Sequence, residues 1–236
     1  MTRRYYQPDL PQVAGANFSL DDTEASHAIR VMRVKPGDQL QLFDGGGRIA
    51  TAEVILVNRK TCQCQLLHAP SETQVKQRMV KMGIAFPKGD RCKRMIESLT
   101  ELGIDTVIPI TAERSQRPES ESTLHKLRRT VIESCKQSGR NHLMQLSSPQ
   151  GLKEFTSCAD ENWRWIADPR GDEPSQEAWM KSDRICVLIG PEGGFTDAEI
   201  SMATAHGFKA LALGHSILRI ETAAIVAGAK AVGAVG

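Results

Sequence analysis

No run of apolar residues in this chain approaches the roughly 18 that a bilayer-crossing helix needs, so no membrane-spanning role is expected. The opening Met-Thr-Arg-Arg-Tyr-Tyr lacks the apolar stretch of a secretory signal. None of the six cysteines, at 62, 64, 92, 135, 158 and 186, forms a C-x-x-C pair. Cys62 and Cys64 lie two apart on an apparent strand, sharing one face and too close in sequence for a normal disulfide. They read as small buried hydrophobes in a reducing cytosol. Zinc is disfavoured, because His68 is their only neighbour of ligand type. Excess charge is missing too: the net value is +2, which excludes a polyanion binder acting through bulk charge alone. With 236 residues and 40% hydrophobic content, the chain can build one large domain or two modest ones. The expectation is a cytoplasmic globular protein without a bound metal.

The hydrophobic rhythm changes once, and this divides the chain. Over the first seventy residues it is mainly that of β-structure. Residues 39–43 alternate and run into Asp44-Gly45-Gly46-Gly47, a hairpin signal, and strands follow over 48–57 and 60–67. One helix interrupts them, capped by Asp21, with Glu24 completing a capping box and Pro36-Gly37 closing it. A small barrel is expected over 1–72, with residues 69–76 as linker. Beyond that the order becomes strand, helix, strand: strands over 79–86, 106–110, 163–167, 185–189 and 209–213, and helices over 90–102 and up to Gly139. The long helix carries a stripe of Leu124, Leu127, Val131 and Cys135. Such alternation predicts an α/β domain, 73–236, with a parallel sheet covered on both faces.

Two loops in that domain carry the chemistry. The strand over 185–189 runs into Gly190-Pro191-Glu192-Gly193-Gly194-Phe195. Thr196 and Glu199 then form a T-x-x-E capping box, and Phe195 and Ile200 stand at the positions of a hydrophobic staple. About twenty residues on, Leu213-Gly214-His215-Ser216-Ile217-Leu218-Arg219-Ile220-Glu221-Thr222-Ala223 repeats strand, glycine turn and helix. Two glycine loops at the carboxyl ends of strands mark a ligand crevice in an open sheet. Neither matches G-x-G-x-x-G nor ends in G-K-[ST], and Glu192 puts negative charge where a phosphate would sit. A cationic adenosine ligand suits the first loop better than a polyphosphate; the same glycines also suit a purely structural turn.

Taken together, these motifs closely resemble the signature of the ribosomal RNA small subunit methyltransferase E family, within the SPOUT (α/β-knot) superfamily. The likeness continues through Arg4-Tyr5-Tyr6, His27, Val31-Met32-Arg33, Pro36-Gly37-Asp38, Lys88-Gly89-Asp90, Glu101-Leu102-Gly103, Glu113-Arg114-Ser115 and Gln137-Ser138-Gly139-Arg140. Cys135-Lys136 departs from the family, which more often has small or acidic residues there. The resemblance implies a PUA-like RNA-binding domain, a C-terminal trefoil knot, S-adenosyl-L-methionine as cofactor and a homodimer formed by the C-terminal domain. It also implies a product, N3-methyluridine at the decoding site of 16S rRNA in the small ribosomal subunit. The cofactor would be held around Asp168, Leu188, Gly190, Glu192, Gly193, Leu213, Gly214, Ile217 and Leu218.

Uridine N3 is protonated near neutral pH, so methylation needs a base or a cation that stabilises the developing anion. Arg140 and Arg219 are candidates for that cation or for gripping a phosphate. Glu221 is a candidate catalytic group that serves equally as an acidic helix start. Asp168, at the expected end of its strand, is a candidate base. His206, before a helix-ending glycine, suits a helix C-terminus. Arginines beside tyrosines suit unpaired bases, so Arg3, Arg4, Tyr5, Arg30, Arg33, Lys88 and Arg91 are the expected RNA contacts; solvated faces account for many of the other charges. Two other classes stay open on the residues alone: a non-catalytic RNA-binding module, and a nucleotide-phosphate enzyme on a doubly wound sheet.

Overall fold

The computed structural model describes residues 4–73, 78–115 and 120–233. Arg3 lies outside them, as does part of the expected linker. The chain divides into two compact units, Met1–Val75 with Cys135–Leu143, and Lys76–Ser134 with Met144–Gly236. Among the described residues no helix is long and apolar enough to cross a membrane.

The first unit holds β1 (Arg4–Tyr6), β2 (Asn17–Ser19), α1 (Asp22–Arg30), β3 (Gln39–Phe43), β4 (Arg48–Val57), β5 (Cys62–Leu66) and β6 (Ser71–Glu72). The strands form one sheet in the order β1-β3-β4-β5-β2, with β6 on β4. Its core follows the period of two that strands impose: Leu40 and Leu42, then Ala50, Ala52 and Val54, then Cys62, Cys64 and Leu66 all face inward. The β3–β4 turn is tied by the Asp44 side chain, which accepts from the Gly46 and Arg48 N–H groups at 2.8 and 2.9 Å. Asp21 caps α1 by accepting from the Glu24 N–H. The Glu24 carboxylate itself receives the Lys136 ammonium at 3.1 Å on each oxygen, and their side chains are only 4% and 8% exposed. The departure at position 136 is thus absorbed by a buried ion pair.

Alternation along β1 corrects one expectation. Arg4 and Tyr6 point one way and Tyr5 the other, into the core, where it is 1% exposed. Its ring offers no face to a base. Arg4 spends its guanidinium inside the protein, donating to the carbonyls of Gly139 (2.9 Å) and Arg140 (2.8 Å) and to the Asn141 side chain. It also lies 4.6 Å over the Phe43 ring. These two landmarks hold the first unit together, and the RNA role expected of them is withdrawn.

The second unit is a parallel sheet with helices. It comprises β7 (Met79–Ile84), α2 (Asp90–Leu102), β8 (Thr106–Thr111), α3 (Glu121–Ser138), β9 (Gln145–Leu146), β10 (Gln150–Gly151), α4 (Leu152–Cys158), β11 (Trp163–Asp172), α5 (Gln176–Met180), β12 (Arg184–Ile189), α6 (Asp197–Ala205), β13 (Lys209–Leu211) and α7 (Ile220–Val232). The order is β10-β8-β7-β12-β11-β13, with β9 on β8, and every pairing is parallel. The last turn of α3 counts with the first unit. Central β12 is buried from Ile185 to Ile189, as a strand covered on both faces requires. Gly83 on β7 makes room for it: a Cβ there would lie 2.8 Å from Leu188 Cδ2 and 2.9 Å from Phe155 Cζ.

β11 runs five residues beyond the expected end at Ala167. Pro169 has no N–H to donate, and the pairing with β13 skips from Ala167 to Asp172. Gly171 permits the resumed pairing, since a Cβ there would meet the Ala210 carbonyl carbon at 2.5 Å. Asp168 therefore sits inside an irregular strand, not at its end. On α7, Ala224, Ala227, Gly228 and Ala231 are buried. A Cβ on Gly228 would stand 3.2 Å from Leu99 and 3.3 Å from Ile104, so the small-residue face receives α2 and its following turn from the same chain.

Tyr5→Ala is expected to destabilise the protein by about 3–5 kcal/mol, the range for losing a large buried aromatic. Urea titration checks this, and RNA affinity of the folded fraction should stay unchanged.

Candidate active site

The C-terminal ends of parallel strands converge on one cavity of about 470 Å³, within the ~300–1,000 Å³ of small-molecule sites. Residues 190–195 after β12 form one wall, residues 213–219 after β13 another, and Ala167, Asp168 and Pro169 of β11 a third. Ile189, Leu211 and Leu213 give it an apolar floor. The two glycine loops singled out in the sequence do meet.

The first loop is fixed by its own packing. Gly194 takes φ +67, and its N–H donates to the Pro191 carbonyl at 2.8 Å. The Phe195 ring folds back over Gly190, 3.0 Å from where a Cβ would be. Both arms of the Thr196–Glu199 capping box form, and Phe195 and Ile200 pack in one core cluster. Arg114, after β8, donates to the Gly193 carbonyl at 2.8 Å, and the Glu113 N–H reaches Glu199 Oε1 at 2.7 Å. The loop is therefore held from β8 as well as from β12.

Carboxylates around the cavity are paired with arginines. Asp168, 6% exposed, accepts from the Arg170 N–H at 2.9 Å and from Arg170 Nη2 at 2.9 Å. Arg170 also reaches Asp197 at 2.8 Å. The Arg170 side-chain hydrogen bond outweighs burial and holds the Asp168 carboxyl below its usual range. Arg91 on α2 spans Glu192 at 3.2 Å and Glu221 at 3.7 Å, tying the first loop to the start of α7. An RNA contact was expected of Arg91; it serves this internal bridge instead. Glu221 lies in the first turn of α7, and its Oε2 is buried without a hydrogen bond among the described residues.

The second loop is looser. Gly214 takes φ +123, and among the described residues no hydrogen bond ties residues 213–218. Arg219 is the N-cap of α7, its carbonyl accepting from the Ala223 N–H at 2.8 Å. Its guanidinium is exposed and, among the described residues, has no ion-pair or hydrogen-bond partner. The nearby carboxylates Glu192 and Glu221 are both engaged by Arg91.

Two expected cofactor residues need correction. Leu188 turns its side chain into the core beside Gly83, and its neighbour Ile189 lines the cavity, as strand alternation dictates. Ile217 borders the cavity, but its side chain is 86% exposed; only its backbone is well placed for a cofactor. Gly190, Glu192, Gly193, Leu213, Gly214 and Leu218 all line the cavity. Arg219 lines it too and Glu221 follows two residues on, whereas Arg140 belongs to the first unit. Arg30, Arg33 and Lys88 are exposed, and Arg33 holds the left-handed φ of +50. His206 caps the end of α6, its Nδ1 2.9 Å from the Met202 carbonyl. Arg114 and Arg170 were missed as site residues; their signal was a basic side chain at or just past a strand end that feeds the crevice.

Because the folded pKa of Asp168 is depressed, its charge stabilises the protein above the ordinary carboxylate value of about 3.9. That contribution disappears as pH falls through the lower folded value. Asp168→Asn should therefore lower the urea midpoint at pH 7, and the two proteins should converge as the pH drops below about 4.

Residues 74–232 match the RNA methyltransferase domain family, and residues 20–67 its RNA methyltransferase PUA domain. The chain is 33% identical to ribosomal RNA small subunit methyltransferase E of Synechocystis, over 93% of this chain and 74% of that protein. The protein of the same name from Mycobacterium bovis is 30% identical, over 98% and 90%. The crystal structure of ribosomal RNA small subunit methyltransferase E from Neisseria gonorrhoeae, bound to S-adenosyl methionine, superposes with a TM-score of 0.88. It is 30% identical and covers 97% of this chain and 96% of its own. The N-terminal unit is thus PUA-like and the second a mixed α/β domain on a parallel sheet, and the chain belongs to the ribosomal RNA small subunit methyltransferase E family.

Proposed function

We propose that this chain transfers the methyl group of S-adenosyl-L-methionine to N3 of a uridine at the decoding site of 16S ribosomal RNA. The observation that carries the reading is the pair of glycine loops walling an apolar, carboxylate-edged cavity, with Arg219, unpaired among the described residues, at its rim. Such a donor set suits a cationic nucleoside. Glu192 stands in the first loop where a phosphate site would need positive charge, and no lysine follows as in a P-loop.

Backbone groups around Gly190, Gly193, Leu213, Gly214 and Leu218 hold the adenosine and methionine portions, and Asp168, Glu192 and Glu221 supply negative potential. The cofactor contributes an activated methyl on a sulfonium. The protein's own tasks are alignment and exclusion of water. Arg219 provides positive charge to an arriving anion, either the uridine as its N3 proton departs or a backbone phosphate. Arg140 is a second candidate for either role. Glu221, paired with Arg91, caps α7 electrostatically. Arg30, Arg33 and Lys88 contact RNA; residues 1–72 deliver RNA affinity and 73–236 the chemistry. A trefoil knot in the C-terminal domain, a homodimer formed through it and a cytoplasmic location complete the reading, all supported by family membership.

Labelled methyl groups from the cofactor should appear in 16S ribosomal RNA, within small subunits, as N3-methyluridine on nucleoside analysis. Label in another nucleoside, or none, would overturn the reading. Arg219→Ala should lower turnover by about 10²–10³, the loss for one electrostatic stabiliser, with cofactor affinity nearly unchanged in calorimetry. If the arginine grips phosphate, the loss shows as weaker RNA binding; if it steadies the uridine anion, it shows in single-turnover rate at saturating RNA. Light scattering at micromolar concentration should give twice the chain mass, and a monomer would remove the dimer.

A further inference from the structure

We propose that Ile217 is the wedge that keeps the target uridine out of its RNA stack, an inference that rests on the methyltransferase reading above. A single exposed aliphatic side chain needs no explanation by itself. The position of this one does. Ile217 is 86% exposed, more than any other large exposed hydrophobic among the described residues, and it stands at the rim of the cavity, not on a remote face. Arg219, two residues on, supplies an exposed cation without a protein partner among the described residues. An apolar tip beside a free positive charge complements the two things a nucleotide offers, a base face and a phosphate.

Chemistry supplies the need. The N3 atom lies on the pairing edge of uridine, so the base must leave its stack before any group in the cavity reaches it. Proteins that unstack bases insert apolar side chains, isoleucine among them, into the opened step. The segment carrying Ile217 is suited to entering such a step. Among the described residues no hydrogen bond ties residues 213–218, and Gly214 at φ +123 relieves the backbone at one end. The α7 helix, whose N-cap is Arg219, fixes the other end. The wedge therefore moves with little cost while its base stays put. The cavity behind it is the place into which the extruded uridine turns.

The test uses the full chain and small ribosomal subunits reconstituted around two 16S ribosomal RNAs, each with 2-aminopurine beside the target uridine. In one the uridine is stacked and paired; in the other it sits in an unpaired bulge. Adding the unsubstituted protein to the stacked RNA should raise the 2-aminopurine fluorescence, and Ile217→Ala should abolish most of that rise. Methylation of the stacked RNA by Ile217→Ala should fall by about tenfold or more, from the cost of unstacking. On the bulged RNA, where that cost is already met, the loss should stay within about twofold. Ile217→Leu should recover most of the activity, and S-adenosylmethionine affinity by calorimetry should be the same for all three proteins. Equal losses on both RNAs, or an unchanged fluorescence rise, would overturn the wedge while leaving the methyltransferase reading intact. Weaker cofactor binding by Ile217→Ala would likewise overturn it, assigning the side chain to the cofactor. If the unsubstituted chain methylates neither RNA, the reading and the wedge fall together.

Discussion

Residues 185–189 of β12 are shielded on both faces, and most of the candidate site follows from that burial. A strand of this kind needs a neighbour that yields space, which Gly83 does for Leu188 and Phe155. It must also release the chain abruptly at its carboxyl end, because an apolar strand extended into solvent would forgo its burial. Phe195, folded back over Gly190, closes the core at that point, and the capping box starts α6 immediately afterwards. The first loop is consequently shaped by the core beneath it. A ligand meets a wall already in place, which lowers the ordering cost of binding.

Much of this was legible because it rested on local rules. The Thr196–Glu199 box, the alternation of β3 to β5, and α2 from Asp90 to Leu102 depend on residues close in sequence. Misreadings arose where a distant partner decided the matter. Arg4 and Tyr5 have the composition of an RNA-stacking pair, yet strand alternation sends one inward, and residues more than a hundred positions away claim the other. Arg91 is exposed enough to suit a phosphate, but Glu192 and Glu221 converge on it only in three dimensions. Asp168 was expected at a strand end and instead lines the cavity from within an irregular strand, because the pairing of β11 breaks after Ala167 and resumes at Asp172. Strands β9 and β10, of two residues each, are too short for any periodicity to reveal.

A pattern runs through the arginines. Several are committed to shaping the protein: Arg4 on residues 139–141, Arg114 on the first glycine loop, Arg170 on Asp168, and Arg91 between two carboxylates. Arg219 differs in having no such engagement among the described residues. Its guanidinium, weakly hydrated for a cation and planar, is open to an incoming carboxylate- or phosphate-like anion.

The discontinuous make-up of the first unit has a further consequence, for synthesis on the ribosome. Its core strands emerge early, yet residues 135–143, which receive Arg4 and supply Lys136 to Glu24, follow only after Lys76–Ser134 has been translated. Closing so long an intervening segment is entropically costly and slow compared with pairing neighbouring strands. The N-terminal strands must therefore wait, with Glu24 lacking its lysine, while the first strands and helices of the other unit leave the exit tunnel. The order of folding is not the order of the chain, and a fragment cut at the linker would be left permanently at that unfinished stage.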